Sequence, residues 1–249
     1  MIRLYERNLS EESIAMGGKV CAIIGFGPGL GTAYAEIFKD AGYDLGLLSR
    51  SEADLGSDEA TNTSIRTYKC DAGEPGSIKD ALASVQNELG PIDVVIYNAD
   101  LAQFGSLDDV SELQFEQSWR VGALGLFATA KFLGPQMSKR GSGVIIVSGA
   151  TAALRGNIWT TAFAPSKSAQ RTLANSLAKQ LGPKGVHVVY LVIDGVIDTE
   201  DTRTNFAPEE PDEFFIKPTR IAETALMLAR QDKSAWTFEL DIRPFGEKW

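Results

Sequence analysis

The sequence predicts an α/β fold built on a parallel sheet with helices on both faces. Two observations predict it. Short, nearly continuous apolar runs alternate with segments of helical periodicity from residue 19 onward, and the first junction between them is a glycine-rich turn. Most of the runs lack the apolar/polar alternation of a half-exposed strand, so both of their faces are expected to be covered.

In chain order, Lys19 to Gly25 is the first apolar run, and Ala33, Ile37 and Phe38 continue with helical spacing through Ala41. Leu45 to Leu48 and Ile65 to Cys70 are the second and third runs. Ile78, Leu82, Val85 and Leu89 follow at spacings of four, three and four, which puts them on one helix face. Ile92 to Tyr97 is a fourth strand, Phe115 to Met137 one long helix and Val144 to Val147 a fifth strand. A helix over Ala164 to Leu181, a sixth strand over Val186 to Ile193 and a helix over Thr219 to Arg230 come next. Trp236, Phe238, Leu240 and Ile242 alternate as a half-buried last strand. With right-handed crossovers this is a doubly wound sheet of Rossmann type. One domain over 1–249 is expected, with residues 1–18 as an N-terminal extension and 200–217, rich in Asp, Glu, Pro and Thr, as a substrate-side loop or lid.

Composition narrows the function classes. The net charge of −9, with no basic block, argues against nucleic acid as a partner. No apolar run approaches the roughly 18 to 20 residues of a membrane span, and the first residues do not read as a secretory signal, so the cytoplasm is expected. Cys21 and Cys70 fall in apolar segments and read as buried thiols rather than a disulfide or metal site. His187, the single histidine, lies near the start of the sixth strand, away from the carboxyl ends where a ligand should sit, and reads as structural. A small molecule is the expected partner.

The turn after the first strand is Gly25-Phe26-Gly27-Pro28-Gly29-Leu30-Gly31. Glycines there permit a tight turn and let the amide-rich helix start approach a pyrophosphate. Ser49-Arg50-Ser51 ends the second strand, where an acidic residue would accept hydrogen bonds from a ribose 2′-hydroxyl and an arginine accommodates a 2′-phosphate. Arg50 favours NADP(H) over NAD(H), with Glu52 and Asp54 close enough to keep NAD(H) as the alternative.

The spacing of Gly25, Gly29 and Gly31 resembles that of the short-chain dehydrogenase/reductase family, and the likeness runs from about residue 19 to 242. It implies that Leu30 joins the glycines at the pyrophosphate and that Asp71 and Ala72 contact adenine. Asn98-Ala99 matches the core of an N-N-A-G motif in which Asp100 replaces the last glycine. Thr199 ends a segment that usually reads P-G-x-x-x-T, placing it near the nicotinamide, and Asp194 replaces the proline of that segment. Lys167 falls on the family lysine, which binds the nicotinamide ribose and lowers the pKa of a tyrosine four residues earlier. Here that tyrosine position is Phe163. Thirteen residues before it, the serine position is Ala150, and twenty-eight before that the asparagine position is Gly122. Three of the four catalytic groups are therefore replaced.

The resemblance implies an oxidoreductase of small carbonyl or alcohol substrates, with Lys167, Thr151 and Ser148 as the leading candidates to handle the proton and Asp100 and Asp194 as further ones. A redox-inactive NADP(H)-binding sensor or scaffold is the alternative. It also implies a homodimer or homotetramer formed through the two long helices.

Overall fold

The computed structural model describes residues 18–51 and 63–247; the expected extension up to residue 17, and Glu52 and Asp54, lie outside the described residues. Seven parallel strands form one sheet: β1 (Val20–Ile24), β2 (Asp44–Ser49), β3 (Ile65–Lys69), β4 (Ile92–Tyr97), β5 (Gly143–Ser148), β6 (Val186–Ile193) and, last in the chain, β9 (Glu239–Ile242). Their order is β3-β2-β1-β4-β5-β6-β9, the doubly wound arrangement, in which strand order reverses beside β1. A small parallel pair, β7 (Val196–Ile197) with β8 (Phe215–Ile216), stands apart from it.

Strand residues alternate between two cores. Val20, Ala22 and Ile24 of β1 face α2 (Pro75–Leu89), α4 (Gly125–Arg140) and α5 (Phe163–Leu181), whereas Cys21 and Ile23 face α1 (Leu30–Asp40) and α6 (Pro218–Ala229). All eight residues of β6 are buried, as an unbroken apolar run requires of a strand with helices above and below.

Two expected elements differ. The long helix is three pieces: α3 (Glu112–Trp119), a π-helical turn over Arg120–Leu124, and α4. The buried Tyr97 hydroxyl donates to the Val121 carbonyl inside that turn. Gly125 makes room, because a Cβ there would lie 2.0 Å from the same hydroxyl. The last strand starts at Glu239, and Trp236 lies before it, stacked on His187 with ring centroids 4.8 Å apart. The 200–217 segment holds a π-helical turn (Thr202–Phe206) and is bracketed by the β7–β8 pair. Arg203 ties it down, bonding Asp198 at 2.7 Å and Asp212 at 2.7 Å and lying over the Phe215 ring. No helix among the described residues is long and apolar enough to cross a membrane.

Candidate functional site

The carboxyl ends of β1 and β4 meet at the glycine turn. Gly25 has φ 87°, and a Cβ on it would lie 2.4 Å from the Ala99 amide nitrogen, so only glycine fits under the Asn98-Ala99 backbone. Asn98 Nδ2 donates to the Gly25 carbonyl at 3.0 Å, bracing the turn from the next strand. Gly29, at φ 88°, faces Thr199, whose Cγ2 would be 2.7 Å from a Cβ there; the segment after β6 thus folds down onto the turn. α1 begins at Leu30, and no acidic side chain stands in its first turn to oppose an anion at the helix start. Gly31 packs against the Phe26 backbone, 3.1 Å from the place a Cβ would take.

A cavity of about 280 Å³ opens beside this turn, lined by Gly25, Arg50, Asp71, Ala72, Asn98 and Ala99 among others, and also by Asp100. Six residues expected at a nucleotide from sequence thus share one cleft. Arg50 additionally lines a neighbouring cleft of about 540 Å³ together with Lys69. The Asp71 carboxylate accepts from the Gly73 amide at 2.8 Å, which fixes its direction after β3.

Lys167, on α5, is 3% exposed. Its Nζ donates to the Ser148 carbonyl at 2.9 Å, lies 3.5 Å from Gln170 Oε1, and forms an ion pair with Asp100 Oδ2 at 3.4 Å. It also sits 5.8 Å from the centroid of the Phe163 ring, so the lysine and the ring expected at the tyrosine position are neighbours. Gln170 passes the contact on, donating to the Gly122 carbonyl at 3.0 Å.

The remaining candidates divide. Ser148, expected as a hydroxyl for a substrate carbonyl, has that hydroxyl paired with the Tyr34 phenol at 3.0 Å on the α1 side of the sheet, because strand alternation turns it there with Ile146. Only its carbonyl reaches Lys167. Thr151, in a short 3₁₀ turn after β5, donates to the buried carboxylate of Asp194, which also pairs with Arg243 at 3.3 Å. Asp100 and Asp194 thus each contact a candidate polar group: Asp100 meets Lys167 and Asp194 meets Thr151.

Phe163 is 5.0 Å from Phe104, which is 6.3 Å from Phe206 of the 200–217 segment, measured between ring centroids. Phe104 and Phe206 are more than half exposed, at 52% and 60%, as is Trp159. The Gly105 amide donates to the Trp159 carbonyl at 2.7 Å, tying the loop after β4 to the loop before α5. His187 is buried, with Nε2 against the Thr237 carbonyl at 2.8 Å, and burial holds its imidazole below the usual range. Sequence reading missed Tyr34, Gln170, Ser166, Arg243, Phe104 and Phe206. Gln170 alone left a signal, one helical turn beyond Lys167 on the same face.

Comparison with known proteins agrees with this geometry. The family model for short chain dehydrogenase matches residues 19–210. An uncharacterized oxidoreductase of Staphylococcus aureus (strain MRSA252) is 25% identical over 228 residues, 91% of this chain and 97% of the relative. The 3-oxoacyl-(acyl-carrier-protein) reductase of Thermotoga maritima is 27% identical over 228 residues, 87% of this chain and 92% of its own. Among solved structures, an alcohol dehydrogenase of the archaeon Thermococcus sibiricus, complexed with 5-hydroxy-NADP, superposes with a TM-score of 0.80 at 26% identity, covering 92% of this chain and 98% of that one. The chain belongs to the short chain dehydrogenase family.

Proposed function

We propose that the protein is an NADP(H)-dependent oxidoreductase acting on a small carbonyl or alcohol substrate, with no tyrosine to transfer the proton. The observation that carries this reading is Lys167, buried beside the Phe163 ring with Asp100 and the Ser148 carbonyl around its Nζ. A buried ammonium is costly unless it is partnered, so this one has been kept and provided for where the other three catalytic groups were replaced.

The cleft suits a dinucleotide. The close approach of Ala99 to Gly25 and the acid-free start of α1 make a cradle for pyrophosphate. In this reading Gly25, Gly29, Leu30 and Gly31 hold the pyrophosphate, and Arg50 takes the 2′-phosphate as a planar, charged donor. Asp71 and Ala72 flank the adenine, Asn98 and Ala99 brace the turn, and Lys167 and Thr199 lie on the nicotinamide side. The cofactor, when bound, supplies the hydride. The Thermococcus alcohol dehydrogenase with its bound 5-hydroxy-NADP supports the choice of NADP(H).

The proton needs another route, because Phe163 has the ring without the phenol. In this reading the Lys167 ammonium beside that ring passes a proton through solvent to the substrate oxygen and is reprotonated from solvent. The Thr151 hydroxyl, donating to Asp194, is the second proton-carrying group. Ser148 contributes through its carbonyl, by orienting Lys167. Loss of a positioned general acid costs typically about 10²- to 10⁴-fold, so turnover is expected to be slow. The Phe104, Phe163 and Phe206 rings favour an apolar substrate.

The reading takes the chain as one nucleotide-binding domain that works as a homodimer or homotetramer in the cytoplasm. Exposed Phe115, Trp119 and Phe127 on α3 and α4 support self-association, and two buried free thiols suit a reducing compartment.

The test is NADPH consumption with a panel of carbonyl compounds, compared with Lys167→Ala. Consumption that the substitution abolishes supports the reading. Tight NADPH binding with no consumption across the panel transfers support to a redox-inactive sensor or scaffold.

A further inference from the structure

Asp100 stands where the motif that Asn98-Ala99 resembles has glycine, and it lines the cleft. Its side chain is 25% exposed, whereas that of Lys167 is 4% exposed. Asp100 lines the cavity of about 280 Å³ whose walls also include Arg50, Asp71, Asn98 and Ala99, whereas Lys167 does not line it and is reached through Asp100. The contact between the two is an ion pair of 3.4 Å, longer than the roughly 2.7–2.9 Å of a tight charge-assisted bond, and Lys167 already donates to Ser148.

We infer that Asp100 and Lys167 together clasp the paired hydroxyls of the nicotinamide-side ribose, with Asp100 as the acceptor and Lys167 as the donor. This rests on the cofactor reading above. A ribose hydroxyl both donates one hydrogen and accepts on oxygen, whereas an ammonium offers donors only. A lysine alone satisfies the oxygens of two neighbouring hydroxyls and leaves both hydrogens seeking acceptors. A carboxylate beside it supplies those acceptors, as an acidic residue does for the adenine ribose in dinucleotide folds. Asp100 is thus a cofactor-binding residue, and its charge also compensates Lys167 when the cleft is empty of ligand.

The experiment compares wild type, Asp100→Asn and Asp100→Gly for binding of two probes by calorimetry. NADPH carries both riboses, and 2′,5′-ADP carries the adenosine half without the nicotinamide ribose. The expected result is a loss of NADPH affinity of about 10-fold or more in both variants, the range for losing a hydrogen bond to a charged group, with 2′,5′-ADP affinity held within about twofold. The second probe separates the clasp from a general disturbance of the cleft, which would weaken both ligands alike and overturn the inference. NADPH affinity that is unchanged or tighter in the variants overturns the clasp and leaves the cofactor reading standing. A wild type that binds neither probe overturns the cofactor reading and the clasp with it.

Discussion

A Cβ placed on Gly122 would lie 2.1 Å from the Ser166 hydroxyl oxygen, so the space a side chain at this position would take is filled from the side by α5. The Ser166 hydroxyl in turn donates to the Ser118 carbonyl at 2.8 Å, which locks it against α3. The glycine at 122 is therefore built into the packing between the helices.

Gly122→Asn alone should therefore overpack this contact and destabilise the fold by about 1–3 kcal/mol. Ser166→Ala in the same chain should recover part of that loss, since the Ser166 Cβ is 3.5 Å from the place of the new Cβ, an ordinary contact, while the bond to Ser118 is given up. Denaturant unfolding of the single and double variants measures both.

Phe163→Tyr places a phenol on a ring 5.8 Å from Lys167. With any substrate that the wild type reduces, kcat should rise by about 10²-fold or more, the ordinary contribution of a positioned acid. A lower or unchanged kcat in a variant that still binds NADPH would mean that the surrounding side chains no longer present the reacting carbonyl to this ring.

Arg50→Ala should weaken NADPH binding by about 10- to 100-fold, the loss of charge-assisted bonds to a phosphate, and leave NADH binding nearly unchanged. Fluorescence titration with the two cofactors gives the ratio directly.

Much of this was legible in the sequence, for physical reasons that can be named. The turn at Gly25 to Gly31 was legible because a positive φ and a 2.4 Å backbone approach admit only glycine, so the residue type records the geometry. The two-faced sheet was legible because burial on both sides requires unbroken apolar runs such as Val186–Ile193. The π-helical turn at Arg120–Leu124 was not, since one extra residue in a turn barely disturbs apolar periodicity and its cause, the Tyr97 hydroxyl, comes from another strand. Long-range pairs were equally hidden. Tyr34 and Ser148 are 114 residues apart, and nothing local shows that the hydroxyl of Ser148 is taken. Asp100 and Asp194 stood out as departures from a motif, but only the fold shows that they meet Lys167 and Thr151.

Stability should depend on pH through His187. Burial holds its imidazole below the ordinary 6.5, so the folded chain keeps it neutral while the unfolded chain takes up a proton below about that pH. Its contribution is fully present above that pH and is lost as pH falls toward the folded value. Thermal unfolding between about pH 5 and 8 should show His187→Gln losing less stability on acidification than the wild type.

The thiols should be inert in the native state. Cys21 and Cys70 are 0% and 3% exposed, and burial pushes the Cys70 thiol up to about 11 and that of Cys21 well above its usual value. A disulfide reagent at mildly alkaline pH should find no fast-reacting thiol in the folded protein and 2 after denaturation, the number of cysteines in the chain.

The proposed hydride transfer proceeds with Phe163, rather than a tyrosine, beside Lys167. NADPH deuterated at its hydride-donating carbon, incubated with the carbonyl panel and followed by mass spectrometry of the products, tests it most directly. The account predicts an alcohol carrying the deuterium on its carbinol carbon, formed by wild type and absent with Lys167→Ala. Tight NADPH binding with all deuterium retained in the cofactor across the panel would contradict it.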